Sequence, residues 1–252
     1  MAYEVKIGLS NKHVHLSEEH IAILFGEGHA LTPTKDLVQP GQYACDEKVD
    51  IVGPKATLKG IRVLGPARPE TQVELAMTDA RSIGIKAPVK ESGKLEGTPG
   101  CKLVGPCGEV ELDHGVMVAM RHVHLNDEQA AEAGVKDGEI VSIKIEGERG
   151  LVFDNVLVRA GAKHFAEVHL DTDEGNAAGC GPDAVCTIFT HFVPSLSLCA
   201  VSQAKKGQTL ALVKKLMPKN VNAIVSTSQI CIGNEGKRSS KKEAIIPTPQ
   251  TR

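Results

Sequence analysis

Two short histidine-containing phrases are the residues of this chain best suited to chemistry. Residues 12–17 read KHVHLS and residues 121–126 read RHVHLN. In an extended strand the side chains at i and i+2 point to the same face, so the two histidines of each phrase would form a pair of imidazoles. Paired neutral imidazoles suit zinc, copper, iron or nickel, and a tetrahedral zinc site needs further protein ligands. The simpler interpretation is a pair of surface histidines on an alternating strand, but the repetition favours metal binding.

Further ligands are available elsewhere in the chain. A third Val-His-Leu, at residues 168–170, precedes the acidic run at 171–174. Glu74 lies between Val73 and Leu75, so an alternating strand would place it on the face opposite the core. On its own Glu74 also fits a solvated strand carboxylate. If two halves of the molecule face each other, these residues could form a dinuclear site, with the candidate ligands His13, His15, Glu74, His122, His124 and His169.

The elements that would position these ligands are short strands separated by Gly-Pro turns. Alternating apolar and polar residues predict strands at 4–9, 48–52, 57–64, 71–75, 139–145, 151–153 and 155–159. Many short strands with such turns are typical of small barrels or sandwiches. Ser17 and Asn126 each follow a histidine phrase and precede acidic residues, which predicts a helix N-cap at both places. Each histidine strand is therefore expected to run directly into a short helix.

The repetition predicts two related halves followed by a different segment. We expect a first β-barrel half at residues 1–100, a second at 101–180, and a divergent, basic, partly disordered extension at 181–252. Ten of the 29 lysines and arginines lie after residue 204. Apolar residues at helical spacing predict a helix at 208–217 within this extension.

Composition excludes several classes of function. Aromatic residues make up 3% of the chain and tryptophan is absent, which argues against stacking platforms for single-stranded nucleic acid. A formal net charge of −2 provides no general attraction to DNA or to an anionic membrane. No P-loop, no strand-linked Gly-x-Gly-x-x-Gly and no Gly-x-Ser-x-Gly elbow occurs, so an ordinary nucleotide fold and a serine nucleophile have little support.

The seven cysteines and the chain start both indicate a cytoplasmic protein. The cysteine number is odd and no Cys-x-x-Cys pair occurs, so free thiols in a reducing compartment are expected. The chain start has no basic region followed by an apolar one, and no segment has the length and apolarity of a membrane span.

A group of polar residues could bind an anion beside the metals. Arg68 lies between two prolines in the loop 65–69, where a guanidinium would be presented to phosphate. Ser10, Asn11, Lys12, Lys55 and Arg62 could hold a polyphosphate or nucleotide group. Locally, a surface arginine is the commoner explanation of Arg68.

Several ordered motifs together resemble a known family. They are residues 10–16 (SNKHVHL), 37–42 (LVQPGQ), 64–74 (LGPARPETQVE), 121–125 (RHVHL) and 168–178 (VHLDTDEGNAA). From about residue 5 to 179 the chain is similar to the propanediol-utilisation type of phosphotransacylase, also called the phosphate propanoyltransferase family. Residues after 179 do not match it.

The resemblance implies a mainly β fold of two small barrels capped by short helices, with a two-zinc site between them. One zinc ion would be bound by His13, His15 and Glu74, and the other by His122, His124 and His169. Arg68 matches the phosphate-binding and catalytic arginine. Contacts to coenzyme A would come from Leu9, Ser10, Asn11, Lys55, Arg62 and Asn176, with Lys35 as a weaker candidate.

The implied reaction converts a short-chain acyl-CoA and phosphate into an acyl phosphate and free coenzyme A. Propanoyl-CoA is the expected substrate and acetyl-CoA the alternative, within propanediol degradation. The family also implies a homodimer that binds neither nucleic acid nor membrane. Many members associated with bacterial microcompartments carry an N-terminal targeting helix, and this chain begins almost at the first strand, so a cytosolic form is expected and encapsulation stays open.

Two other classes fit the residues. A dinuclear metal hydrolase of thioesters or phosphoesters would use the same ligands with a metal-bound hydroxide. A non-enzymatic module would bind zinc tightly without turning over a thioester.

Overall fold

The computed structural model describes residues 3–189, which form 15 strands and four short helices. The predictions for residues 190–252, including the helix at 208–217, lie outside the described residues. The strands are β1 (Tyr3–Ser10), β2 (His13–His15), β3 (Pro33–Asp36), β4 (Tyr43–Val52), β5 (Thr57–Gly65), β6 (Gln72–Glu74), β7 (Val89–Lys90), β8 (Cys101–Val104), β9 (Glu109–Leu112), β10 (Val116–Ala119), β11 (His122–Leu125), β12 (Ile140–Ile145), β13 (Leu151–Ala160), β14 (Glu167–Asp171) and β15 (Val185–Phe189). The helices are α1 (Glu18–Phe25), α2 (Met77–Ser82), α3 (Asp127–Ala133) and α4 (Thr172–Ala178).

The strands form one closed barrel and one open sheet. The barrel has the order β1-β14-β11-β13-β12-β15. The nine-stranded sheet has the order β7-β10-β6-β2-β5-β4-β8-β9, with β3 added at β4. The predicted mainly β fold with short helices is thus confirmed, with a curled open sheet in the position of a second closed barrel.

Sheet membership crosses both predicted boundaries. β1 lies within residues 1–100 but pairs in parallel with β14 and antiparallel with β15, so it belongs to the barrel. β8 to β10 lie within 101–180 but belong to the sheet. Residues 185–189, assigned above to the extension, form β15, whose pairing with β1 and β12 closes the barrel. A boundary read from the repeat cannot detect such exchanges, because strand pairing depends on packing between distant segments.

Each sheet encloses its own hydrophobic core. Alternating residues of β2, β5 and β6, among them Val14, Val63 and Val73, are fully buried in the sheet's core. Val123, Val158 and Val168 occupy the same positions inside the barrel. Because side chains alternate along a strand, the neighbouring polar residues lie on the opposite face, between the two sheets.

The two predicted N-caps are confirmed. Ser17 accepts a hydrogen bond from the backbone N–H of His20 at 3.3 Å and starts α1. Asn126 and Gln129 form a reciprocal capping box at the start of α3. That helix ends at Gly134, whose φ of 70° is the left-handed conformation that glycine adopts at little cost.

One strand prediction is corrected. The runs at 151–153 and 155–159 were expected to be separate strands, but β13 continues through both. Asn155 has a φ of 59°, a conformation that asparagine tolerates better than most residues. The pairing of β13 with β12 shifts register around this residue, and the strand continues through it.

Contacts across the cleft join the barrel to the sheet. The side chain of Gln39, between β3 and β4, donates to the backbone oxygen of Phe165 at 3.0 Å and accepts from its N–H at 3.3 Å. The backbone N–H of Thr78 in α2 donates to Asp173 of α4 at 2.8 Å. Among residues 3–189, no helix is long and apolar enough to cross a membrane.

Candidate active site

The first ligand cluster, hereafter the sheet cluster, consists of His13, His15 and Glu74. β2 and β6 run antiparallel with His13 opposite Glu74, and all three side chains are buried. The ligand atoms lie within 4.8 Å of one another, and His13 Nε2 is 3.5 Å from Glu74 Oε2. Val73 and Leu75 are buried in the core, so the predicted cleft-facing orientation of Glu74 is confirmed.

The second ligand cluster, hereafter the barrel cluster, consists of His122, His124 and His169. β11 and β14 run antiparallel with His122 opposite His169. The ring centroids of His122 and His124 lie 4.8 Å apart, and each lies 4.9 Å from that of His169. Their ligand atoms also fall within 4.8 Å of one another. Both sequence-predicted sets of three are therefore brought together as groups that could hold a metal ion.

The backbone sets the tautomer of the leading histidine in each cluster. His13 Nδ1 lies 2.8 Å from the backbone oxygen of Asn11, and His122 Nδ1 lies 2.8 Å from that of Met120. A carbonyl can only accept a hydrogen bond, so each Nδ1 carries the proton. The Nε2 lone pair of both rings is consequently available to a metal, an arrangement common among metal-binding histidines.

A buried nitrogen without a partner supports the same conclusion. His15 is 2% exposed, and its Nδ1 has no hydrogen-bond partner in the described part of the chain. A buried polar atom left unpaired costs free energy unless a ligand satisfies it. Together with two sets of three nitrogen or oxygen donors, this fits a metal such as zinc.

Burial keeps most of these imidazoles neutral. Burial, with a smaller contribution from His13, lowers the pKa of His15 to about 3. Burial followed by the neighbouring His169 lowers the pKa of His122 to about 4, and burial followed by His122 lowers the pKa of His124 to about 2. Neutral imidazole is the form that binds metals, so these three side chains need not release a proton first.

His13 and Glu74 are shifted in the opposite sense because they face each other. Burial opposes the charged form of His13, but the charge and hydrogen bond of Glu74 together outweigh burial and raise the pKa of His13. Burial likewise opposes the charged form of Glu74, but the charge of His13 holds the pKa of that carboxyl well below its usual range. The sheet cluster therefore contains an ionised carboxylate.

A polar network positions Glu74. Gln72 Nε2 donates to Glu74 Oε1, and the hydroxyl of Ser92 donates to the same oxygen at 2.9 Å. Ser92 also accepts from Gln72 Nε2 at 2.9 Å and from Arg68 Nη1 at 3.3 Å. Gln72 in turn accepts from the backbone N–H of Gly93 at 2.9 Å. Ser92 thus connects the candidate phosphate-binding arginine to a candidate metal ligand.

The barrel cluster is supported by a carboxylate and a further histidine. Glu167 Oε2 accepts from His169 Nε2 at 2.7 Å. A carboxylate in this position commonly supports a histidine that binds a metal. His124 Nδ1 lies 3.0 Å from His164 Nδ1. A Cβ at Gly8 would lie 2.7 Å from the carboxyl carbon of Glu167, so the glycine lets Glu167 approach.

The basic residue ahead of each histidine pair is anchored to a helix. Lys12 Nζ lies 3.1 Å from Asp79 of α2, and Arg121 Nε lies 2.7 Å from Glu174 of α4. The guanidinium of Arg121 also covers the ring of Phe153, 4.8 Å from its centroid. These pairs hold the two histidine strands against the helices, and Lys12 and Arg121 are neutralised by their partners.

Both clusters line one cavity of about 740 Å³, within the range of small-molecule sites. Most of the sequence-predicted substrate residues also line it, namely Leu9, Ser10, Asn11, Lys35, Arg62 and Arg68. Lys55 and Asn176 lie outside this lining. Lys55 packs on Gly84, and Asn176 is exposed on α4.

Sequence reasoning missed the supporting residues of the site. These are Gln72, Ser92, Arg159, His164 and Glu167. Gln72 and Glu167 could have been found, since each lies two residues from a predicted ligand and therefore on the same strand face. Ser92 and His164 lie in loops, where no periodic pattern indicates direction.

Comparison with known proteins agrees with this geometry. The family model described as phosphate propanoyltransferase matches residues 6–181. The phosphate propanoyltransferase of Thermotoga maritima is 53% identical over 173 residues, covering 68% of this chain and 82% of that protein. The phosphate propanoyltransferase of Sebaldella termitidis is 51% identical over 177 residues, covering 70% of this chain and 83% of that protein. That of Clostridioides difficile is 50% identical over 185 residues, covering 73% of this chain and 88% of that protein. The chain therefore belongs to the phosphate propanoyltransferase family and is an acyltransferase.

Proposed function

We propose that this chain transfers the acyl group of propanoyl-CoA, with acetyl-CoA as the alternative substrate, to phosphate at a site that holds two zinc ions. The observation that carries the proposal is the meeting of two three-ligand clusters and Arg68 in one cavity. Membership of the phosphate propanoyltransferase family supports the phosphate acyltransferase chemistry.

The ligand assignment follows the two clusters. His13, His15 and Glu74 would hold one zinc ion, and His122, His124 and His169 would hold the other. Three protein ligands with an open position are typical of catalytic zinc sites, and zinc bound in this way supplies Lewis acidity toward a carbonyl, phosphoryl or thiolate group.

Arg68 orients phosphate in this proposal. Its backbone N–H donates to the oxygen of Leu16 at 2.8 Å, and its guanidinium donates to Ser92. A guanidinium binds two phosphate oxygens at once, which leaves a third to attack the thioester carbonyl carbon. The new C–O bond forms as the C–S bond breaks, and coenzyme A leaves as the thiolate. Phosphate is itself the nucleophile, so no acyl-enzyme is required. The rate acceleration comes from holding phosphate and the thioester in the right geometry.

Coenzyme A would lie across the cavity, from the end of β1 in the barrel to β5 in the sheet. Leu9, Ser10, Asn11 and Arg62 line the cavity beside the clusters and are proposed contacts. Lys55 and Asn176 rest on the family resemblance, and their position outside the lining suggests contacts with a distal part of coenzyme A. A homodimer is also proposed on the resemblance, and light scattering on the purified protein would test it.

The experiment measures thiol release from propanoyl-CoA and acetyl-CoA, with and without phosphate, on protein of determined metal content. Phosphate-dependent release that is lost on chelation and restored by zinc is expected. Release without phosphate would instead indicate the hydrolase, and no release from zinc-loaded protein would leave a structural metal module. Arg68→Gln tests the arginine, since normal saturation by phosphate in this variant would contradict its role.

A further inference from the structure

Arg159 lies on the barrel face that carries the second ligand cluster. β11 and β13 are parallel with His124 in register with Arg159, and β11 and β14 are antiparallel with His124 opposite Glu167. Residues in register on neighbouring strands point to the same face. Arg159, His124 and Glu167 therefore form a row on the outside of the barrel, facing the cavity, and all three line it.

The guanidinium of Arg159 differs from the other arginines of the cavity. Arg62 donates to the backbone oxygen of Cys45, and Arg68 donates to Ser92. For Arg159, no side-chain hydrogen bond or ion pair exists within residues 3–189. Glu167 is the one carboxylate in the row of Arg159, His124 and Glu167. It lies on the far side of His124 from Arg159 and accepts a hydrogen bond from His169. A half-buried guanidinium with five donors and no acceptor is poised for an anionic ligand.

The charges around Arg159 point the same way. The pKa of Arg68 is lowered mainly by burial; the charge of Glu74 opposes this effect, and the charge of Arg159 adds to it. The positive charge of Arg159 is therefore felt by Arg68, on the opposite wall of the cleft. An anion between the two arginines would relieve this repulsion.

We propose that Arg159 is a second phosphate-binding residue, which holds the phosphoryl oxygens of phosphate and of acyl phosphate opposite Arg68. This inference rests on the proposed function. Arg68 comes from the sheet beside Glu74, and Arg159 comes from the barrel beside His124, so a phosphoryl group between the clusters is bound from both walls. Each terminal oxygen of such a group can accept more than one hydrogen bond, so two guanidinium groups can share the terminal oxygens while the remaining oxygen is the one bonded to the acyl carbon. The diphosphate of coenzyme A is the other source of the same chemistry, but its proposed contact, Arg62, lies on the sheet side.

The test compares Arg159→Gln and Arg159→Lys with Lys163→Gln. Lys163 is exposed in the loop after the same strand and is absent from the cavity lining, so its variant removes a nearby positive charge without touching the site. KM is measured for phosphate and propanoyl-CoA in the forward direction and for propanoyl phosphate in the reverse direction. Thermal unfolding of each zinc-loaded variant accompanies the kinetics.

In Arg159→Gln, KM for phosphate and for propanoyl phosphate should rise at least about tenfold, as expected when a charge-assisted hydrogen bond is lost. KM for propanoyl-CoA should change less than about twofold. In Arg159→Lys, KM for phosphate should lie between the values of wild type and Arg159→Gln, because lysine keeps the positive charge but cannot donate two parallel hydrogen bonds. Lys163→Gln should match wild type.

Two results would overturn the inference. An unchanged phosphate KM in both variants would exclude Arg159 from the phosphate site, and a rise confined to propanoyl-CoA would assign it to coenzyme A. If Arg159→Gln fails to fold, Arg159→Lys alone decides between these outcomes. Failure of the proposed function is distinguishable, because the wild-type protein would then show no phosphate-dependent thiol release.

Discussion

The sheet cluster and the barrel cluster share the type of their first two candidate ligands, a pair of histidines, and differ in the third candidate ligand. Each begins with a His-Val-His strand in which the leading ring donates its Nδ1 proton to a backbone oxygen two residues earlier. In the sheet cluster the third candidate ligand is the carboxylate of Glu74. In the barrel cluster it is the imidazole of His169, and the carboxylate of Glu167 lies behind that ring.

The difference shows that the same His-Val-His strand can occur in two different electrostatic environments. Glu74 would contact a metal directly and cancel one of its charges. Glu167 would be separated from a metal by a ring, so more positive charge remains at the open coordination position. The barrel cluster also has Arg159 in its row. We therefore expect the barrel side to attract the more negative part of the reacting groups.

Removing the leading histidine of either cluster should have the largest effect. His13→Ala and His122→Ala should each lose one of the two zinc ions and reduce kcat/KM more than about 100-fold, beyond the usual cost of a supporting residue. Metal analysis and thiol release measure both effects. His114→Ala is the control, since His114 is half-exposed beside Asp113 and Glu70, outside both clusters. Full zinc content in either variant would refute the assignment of that cluster.

Removing the support of the third ligand should have the next largest effect. Glu167→Gln keeps the shape of the side chain but weakens its hydrogen bond to His169, so zinc affinity of the barrel cluster should fall about 10-fold to 100-fold. Chelator competition resolves the two sites. The sheet cluster should keep its affinity, and loss of affinity at both sites together would contradict independent clusters.

Removing a residue that supports Glu74 in the sheet cluster should have a smaller effect on activity. Ser92→Ala removes one of two donors to Glu74 and one acceptor for Arg68, and Gln72 remains. Because Gln72 still donates to Glu74, we expect a net loss of about 1 kcal/mol in total, which corresponds to roughly a fivefold decrease in kcat/KM. The decrease should appear largely as a higher KM for phosphate, because Arg68 loses its anchor. Ser82→Ala, an exposed hydroxyl on α2, controls for loss of a serine.

Removing the helix caps that follow the two histidine strands should have the smallest effect, and the effect should be on the free energy of unfolding. Asn126→Ala breaks a reciprocal capping box, whereas Ser17→Ala removes a single bond of 3.3 Å. Both should lower the free energy of unfolding by about 1 kcal/mol, with Asn126→Ala the larger. Urea unfolding measures the change. A larger loss in Ser17→Ala would show that its helix depends more on capping than the hydrogen bonds suggest.

Most of the ligand set could be predicted because its geometry is local. His13 and His15 share a face in any extended strand, and so do His122 and His124, whatever the rest of the fold. The caps at Ser17 and Asn126 depend on a few neighbouring residues. Glu74 could be placed on the cleft face because Val73 and Leu75 flank it.

Other features depended on strands that are distant in sequence. Ser92 reaches Glu74 from a loop, and Arg159 reaches the cavity because β13 pairs with β11. The exchange of β1 into the barrel, and of β8 to β10 into the sheet, also lies beyond local patterns.

The sequence by itself determined the two histidine pairs, their helix caps and the family, because side-chain alternation and capping act over a few residues. Spacing alone left open which third residue joins each pair, the family resemblance implied it, and the tertiary structure shows how it is brought there and which residues support it. Those choices follow from strand register, with His13 opposite Glu74 and His122 opposite His169. Register is set by the burial of two separate cores, and that burial is a property of the whole packed chain.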